Sequence, residues 1–556
     1  MQPINIQAYG AVGDSVTDNF TAIRQAASAL QSGDELYFPP GTYRITHPGT
    51  LVEVEKVSRL TIRFAPGAEL LMDNLDSQGL GSGHAFSFRG PGEGLTLDGL
   101  RVRWAVKAAK RSKGDGIRID GPTSAQGPSA QRTLKKISIT NCRIENSPQT
   151  GMVLMGCSDI SIHHVTIQST WADGIHLNAC QHYTITDVVG QNLGDDNVAL
   201  VTYYNPSATN CSLSGRARGP YTQPRLGEWS NYRGVVKNVR TSGKTGANGL
   251  RVAGALSVAI EQVQASKKKA AIIIDAGRKG NTFGWEYQAS RGITVSGLDA
   301  RNCHVGVHIM TFNVLPTDTL FWDFEVSLDN IVLEGCAHDN LLVEKCSGVT
   351  VGNVQSSRGR VRMIHLNNLT VDNLRHDQGS VVIHGWDRMI QASSAQTTRL
   401  ADENSSLRLH QIVVTQGSIQ LENASGIEAG KIAAYAGLGD TGVALVNLRQ
   451  VSIGSLVSVM ARRFGVRVIN CQQLTVEEAR VEGEGRKFLP LEVGGGTAAS
   501  VTQHVVFRRV IYRNPRGQGK TRPSFQQGVF APQRVSIRIE HRRPSGAVVS
   551  DHYQLP

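Results

Sequence analysis

Three stretches of this chain can be laid over one another. ISITNCRIENSPQTGMVLMGC from Ile137, ISIHHVTIQSTWADGIHLNAC from Ile160 and YTITDVVGQNLGDDNVALVTY from Tyr183 begin 23 residues apart. A repeat of about 20 to 50 residues decides a fold before any other signal does. Within each copy a short alternating apolar run, a turn and a second alternating run follow one another, which is the period-2 pattern of strands. Weaker copies begin near Val236, Val258, Ile293 and Val326, with further strand-like runs at Val349, Leu369, Ile412, Val451 and Leu474. No copy buries its apolar face alone. Stacking each strand on its equivalent in the next coil does, and the product is an all-β parallel solenoid. The glycine content, 59 of 556 residues against a usual ~7%, fits many tight turns and few long helices.

Strands about 4.8 Å apart turn sequence columns into spatial ladders. Ile117, Met152, Ile175, Val198, Leu250 and Ile272 form one column, and Ile119, Leu154, Leu177, Leu200, Val252 and Ile274 another. Both are apolar and expected inside. By alternation Arg118, Val153, His176, Ala199, Arg251 and Ile273 point outward. Thr17 and Asp18 supply N-capping oxygens for a helix carrying Phe20, Ile23, Ala26, Ala27 and Leu30, which would cover the raw end of the solenoid. The expected organisation is a cap segment over 1–45 and one parallel β-helix over 46–556, interrupted by loops near 121–134, 203–233, 311–325 and 386–407.

Composition removes several alternatives. Apolar residues at 40% and charged ones at 19%, with no like-charge block, describe a folded chain. Apolar runs such as 270–274 fall far short of the roughly 20 residues needed to span a bilayer, so no membrane partner is expected. Residues 1–6 lack a basic and apolar leader; an exported form, secreted or periplasmic, would have lost one. The net charge of +12 favours polyanions. Basic residues gather at Lys107, Lys110, Arg111 and Lys113, at 267–269, and at Arg508, Arg509, Arg513 and Arg516. No helical basic stripe with interleaved aromatics is present, so acidic polysaccharide is the expected partner and nucleic acid is not. The eight cysteines show neither a CxxC pair nor a zinc-like grouping. Oligomeric state is not legible.

The position before each second strand reads Asp115, Thr150, Asp173, Asp196, Asn248 and Ala270. Asp173 and Asp196 are one coil apart and therefore stacked, with Asp195 beside them. Acids held this close cannot all ionise freely, and at least one should keep its proton near neutrality, the situation from which general acid and base roles emerge. Asp before Gly, at 115–116 and 173–174, is also ordinary turn chemistry. A turn explains Asp195-Asp196 badly, since mutual repulsion needs an offset.

These residues carry a resemblance. AYGAVGDSVTDNFTAIRQAASAL followed by LYFPPGTYRI resembles the opening of the pectin-lyase-like right-handed parallel β-helix superfamily, and the fold likeness covers nearly the whole chain. Asp173-Gly174-Ile175-His176 with Gly194-Asp195-Asp196 resembles the aspartate motifs of polygalacturonases and their inverting relatives, which include dextranases, 1,3-glucanases and certain α-galactosidases. The resemblance implies Asp195 as general acid, with Asp173 and Asp196 activating water. It also implies inversion by direct displacement, without metal or cofactor. This chain has Trp171-Ala172-Asp173 where polygalacturonases have Asn-Thr-Asp, and Ala247-Asn248-Gly249 where they have Gly-His-Gly. Their Arg-Ile-Lys, which grips a substrate carboxylate, has no clean counterpart, and Arg251 or Arg278-Lys279 are the candidates to replace it.

Around this trio the expected substrate contacts are His176, taken as exposed, with Asn248, Arg251, Asp115 and Lys269 along the column. Aromatic faces that could stack on sugar rings are Trp171, Tyr203, Tyr204, Trp229 and Tyr232. Two rival readings share the scaffold. A uronate lyase or epimerase would use a basic group such as Lys269 and a Ca²⁺ held by Asp120, Asp173, Asp195, Asp196 and Asp275. A non-catalytic glycan-binding solenoid, adhesin-like or tailspike-like, would need neither.

Overall fold

The repeat becomes strand stacking. The structure, a computed structural model, describes residues 3–56, 58–121, 134–205, 217–218, 231–275, 286–287, 290–311, 323–385, 405–435, 439–483, 488–494, 502–513, 524–525, 533–542 and 548–554. The fold is an all-β, right-handed parallel β-helix, in which each turn of chain returns to pair with the strand one coil earlier. Two compact units are formed, Met1–His304 with Thr311–Phe321, and Val305–Met310 with Trp322–Pro556. The expected loop insertions fall largely outside the described residues, as do Trp229, Arg278 and Lys279.

In the first unit, helix α1 (Phe20–Ser28) buries Phe20, Ile23, Ala26 and Ala27. Its start differs from expectation. Asp18 Oδ1 accepts the Phe20 N–H at 3.2 Å, while Thr17 instead bonds Asp14. Leu30 lies beyond the helix and is half-exposed. The helix ends at Ser28 with Ala29 as its C-cap, and just beyond it the Asp34 carboxylate accepts the Gln31 N–H.

Six short strands of this unit carry the site: β1 (Ile117–Asp120), β2 (Met152–Met155), β3 (Ile175–Asn178), β4 (Val198–Val201), β5 (Leu250–Ala253) and β6 (Ala270–Asp275). Their parallel register pairs Ile117 with Met152, Met152 with Ile175, Ile175 with Val198, Val198 with Leu250, and Leu250 with Ile272. The second column follows from Ile119 to Ile274, and both are buried throughout. Each such side chain removed from water contributes roughly 1.5–3 kcal/mol, so the two ladders supply most of the local cohesion. The column between them does point outward, yet Arg118, Val153, His176 and Ala199 are buried too, and Arg251 and Ile273 half-buried. Alternation fixes the side a residue takes; it does not say whether that side is covered.

Glycine just before these strands answers to stacking. A Cβ on Gly174 would stand 2.6 Å from the carbonyl of Asn197 on the next coil. The coils are thus drawn together at the point where the acids sit.

The second unit stacks in the same way. Leu341 pairs with Val361 and Val343 with Met363; Ile419, Val443, Val466 and Leu491 continue another ladder. Asparagines repeat at its corners, with Asn447 donating to Asn423 at 2.8 Å and Asn470 to Asn447 at 2.7 Å. Among the described residues, no helix is long and apolar enough to cross a membrane.

Candidate active site

The turn leading into β3 carries Asp173, and the turn leading into β4 carries Asp195 and Asp196. Backbone bonds set their relation: Gly174 N–H donates to Asp196 O at 2.8 Å, and Asp195 N–H to Ala172 O at 3.2 Å. A Cβ on Gly194 would meet the Trp171 carbonyl at 2.1 Å, so only glycine lets the second turn close this tightly above the first. One carboxylate oxygen from each of Asp173, Asp195 and Asp196 lies within 4.8 Å of the others.

Each acid is held differently. Asp173 is buried and both its oxygens are engaged, Oδ1 by the Asp196 N–H at 3.0 Å and Oδ2 by His176 Nδ1–H at 2.7 Å. Asp196 is buried and accepts from Asn248 Nδ2 at 2.7 Å. Asp195 has a half-exposed side chain, with Arg111 Nη1 at 3.3 Å from its Oδ2. Burial and the charge of Asp173 raise the Asp195 carboxyl above its usual range, against the pull of Arg111, Arg251 and His176. Burial, then Asp173 and Asp195, push Asp196 up to about 8, against Arg251 and the Asn248 bond. Two neighbouring carboxyls raised together hold a proton between them near neutrality.

The surroundings sort the other expected residues. His176 is buried against Asp173, where an exposed histidine was anticipated; the hydrogen bond to Asp173 holds it in a column in which its stacked neighbour Ala199 is buried as well. Asn248 reaches the trio directly. Arg251 bonds Asp275 at 3.0 Å and acts on the acids through its charge. Trp171 lies beside the trio but its indole N–H is tied to Ala108 O at 2.7 Å, and the ammonium groups of Lys107 and Lys244 stand 5.1 and 5.5 Å from its ring. Asp115 is buried and paired with His84 at 3.2 Å and Arg118 at 3.3 Å. Lys269 is exposed, with its backbone N–H on Ala247 O. Tyr203 opens a short strand (Tyr203–Asn205) antiparallel to Glu286–Tyr287; its side chain and that of Tyr204 lie outside the described residues. Tyr232 faces His182, with ring centroids 6.2 Å apart.

The five-acid cation set is not assembled. Asp120 is committed to Arg118 at 2.9 Å and Asp275 to Arg251. Among the described residues only the trio groups as a cation would require, and its oxygens already serve Arg111, His176, Asn248 and a backbone N–H. That donor set fits proton transfer better than ion binding. Sequence reasoning missed Arg111 as a neighbour of Asp195, and Lys107 and Lys244 as neighbours of Trp171. Arg111 is 84 residues from Asp195, and no spacing signals a contact across that distance.

Residues 3–52 match the family described as "Rhamnogalacturonase A/epimerase, pectate lyase-like", and residues 93–217, which include all three acids, match "Glycosyl hydrolases family 28". No curated protein matches the chain in sequence. Among solved structures, the catalytic unit of an α-1,3-glucanase from Streptomyces thermodiastaticus is similar at 14% identity and TM-score 0.38, over 76% of this chain and 65% of that one, so less than two thirds of its length is spanned. The N-terminal fragment of bacteriophage phi29 gene product 12 is similar at 10% identity and TM-score 0.49, over 94% and 87%. A family 28 exopolygalacturonase of Yersinia enterocolitica is similar at 13% identity and TM-score 0.36, over 67% and 75%.

Proposed function

Taking the chain as a β-helix glycoside hydrolase of the pectin-lyase-like superfamily, we propose that it cleaves a polysaccharide by single displacement with inversion, using Asp173, Asp195 and Asp196. The observation that carries this is the convergence of three carboxylates within 4.8 Å, two of them raised above their usual range. Asp195, the half-exposed member, protonates the leaving glycosidic oxygen. Asp196 takes the proton of the attacking water. Asp173, with both oxygens engaged, stays in place as a fixed negative charge and holds its two partners above their ordinary range. Water oxygen bonds to the anomeric carbon as the C–O bond breaks, one proton leaves Asp195 and one arrives on Asp196, and the cluster's proton count is unchanged.

An inverting acid and base normally stand about 6.5 to 9.5 Å apart and a retaining pair about 5 to 5.5 Å, so the nearest-oxygen spacing here is short for both. Burial favours inversion: Asp173 and Asp196 are only 6% and 3% exposed, which suits relaying through water and not direct attack on a sugar carbon. The substrate we infer is an acidic polysaccharide met outside the cytoplasm, because Arg111 meets Asp195 and Lys107 and Lys244 stand over the neighbouring Trp171 ring, a basic cluster that would meet anionic groups of a bound glycan.

A product assay across neutral and uronate-containing glycans tests this reading. New reducing ends without ultraviolet absorbance, lost in Asp195→Asn, are expected. Absorbance from unsaturated sugar would make the chain a lyase, and glycan binding without any product would make it a binding solenoid.

A further inference from the structure

Two outward ladders run along the face that leads into the acid turns of the first unit. One reads Gln168, Gln191, Ser242, Ser266 and Arg301, and the other, beside it, Thr166, Val189, Arg240, Gln264 and Asp299. The first ladder goes from long side chains to short ones and back to long. Two successive serines leave a dip between Gln191 and Arg301, which stand three coil spacings apart, about 14 Å. A groove of about 490 Å³ lies there, lined by residues of both ladders. That volume falls within the roughly 300–1,000 Å³ usual for ligand sites.

The lining is polar and largely uncommitted. Ser242 and Ser266 are half-buried, while Gln191, Arg240 and Gln264 are exposed. Among the described residues, none of these five side chains has a hydrogen bond or an ion pair. Arg301 differs, since its Nε and Nη2 hold the two Asp299 oxygens at 2.8 and 3.0 Å. With that pair closed, Arg240 supplies the net charge of the groove. Elsewhere on the scaffold Arg103 meets Glu69 one coil away; Arg240 is stacked between Val189 and Gln264, neither of which is an acid.

Hydroxyls and amides both donate and accept, as the hydroxyls of a sugar do. A guanidinium only donates, in a fork that fits a carboxylate. The geometry points to a second glycan-binding groove, distinct from the acid trio, for an anionic sugar chain: Arg240 meets a carboxylate while Ser242, Ser266, Gln191 and Gln264 meet ring hydroxyls. The inference does not rest on the chemistry of the trio, because the groove holds a chain whether or not that chain is cleaved.

The test is titration calorimetry of the full chain carrying Asp195→Asn, with tetragalacturonate as the probe and maltotetraose as its neutral control. Ser266→Gln fills the dip and should remove one tetragalacturonate site per chain at unchanged Tm, since the same ladder carries glutamine at Gln168 and Gln191. Arg240→Gln should keep the site and weaken tetragalacturonate about tenfold, with no change for maltotetraose. The same number of sites and the same affinity with and without Ser266→Gln overturn the proposal, as does a chain that binds no tetragalacturonate at all. If Ser266→Gln does not fold, Arg240→Gln decides alone, and an unmoved tetragalacturonate affinity overturns the proposal. A protein that cleaves no glycan yet loses one site in Ser266→Gln keeps the groove and sinks only the hydrolytic reading.

Discussion

Both units bury carboxylates, and they treat them in opposite ways. In the second unit Asp339, 0% exposed, is paired with Arg362 at 2.6 Å and Arg360 at 3.4 Å. Glu344 faces His308 at 2.8 Å, a bond that holds its carboxyl below the usual range, and Glu492 meets Arg467 at 2.5 Å. In the first unit Asp173, Asp195 and Asp196 are set against one another, and two of them rise. Asp115 and Asp120, two coils before Asp173, are closed by Arg118 in the manner of the second unit. The scaffold therefore neutralises its structural acids as a rule. Among the described residues such mutual repulsion is kept at the trio; it is a cost that folding does not require, and such exceptions mark working sites.

The comparison can be broken at several points. The ladders common to both units come first: Leu177→Asp puts an unpaired charge into the stacked core and should yield no soluble folded protein, whereas a soluble variant with unchanged melting would sink the register. Next is the acid cluster, where Asp195→Asn should cut hydrolysis by about 10²- to 10⁴-fold with Tm equal or slightly higher, because a repulsive charge is gone. A large fall in Tm would make that acid structural after all.

Opening a closed acid should have the opposite profile. Arg362→Met leaves Asp339 with Arg360 and His338 and should cost about 2 kcal/mol by denaturant unfolding, below the full value for a buried pair because Arg362 is partly exposed. An unmoved midpoint would show the pair to be idle. The two kinds of acid also differ in sign with pH. Asp196 binds its proton more tightly folded than unfolded, so its contribution to stability is present below pH 3.8 and is lost as pH rises toward about 8. Glu344 is held low, so its contribution is present above pH 4.5 and lost on acidification below that. Melting curves across this range should flatten on the neutral side in Asp196→Asn and on the acid side in Glu344→Gln; equal slopes in all three proteins would erase the distinction. The smallest effect belongs to the surface: Arg508→Ala, which frees an exposed Glu477, should change stability by about 0.5 kcal/mol or less.

Much of this was legible in the chain because a stacked fold converts spacing into proximity. The 23-residue offset places Asp173 against Asp196 and aligns Met152, Ile175 and Val198, and the apolar pattern carries the same column on to Ile117 and Ile272 across unequal coils, as the register has it. What spacing does not carry is what covers an outward face, which is why His176 is buried where exposure was expected and Arg118, pointing outward, is buried too. Nor does it carry contacts across many coils, such as Arg111 on Asp195. Within the run 267–269, alternation alone cannot say which lysine turns inward. The left-handed backbone of Lys267 resets the phase, sending Lys268 into the core and Lys269, the residue the sequence favoured, to the surface.

The most direct measurement makes one chemical change in both settings, Asp195→Asn in the trio and Asp339→Asn in the closed pair, and records glycan hydrolysis per folded molecule and Tm for each. Asp195→Asn is expected to lose hydrolysis and keep its Tm, and Asp339→Asn to lose Tm and keep hydrolysis. Full activity in Asp195→Asn, or lost activity with an intact Tm in Asp339→Asn, would contradict the assignment of the unneutralised acids as the working ones.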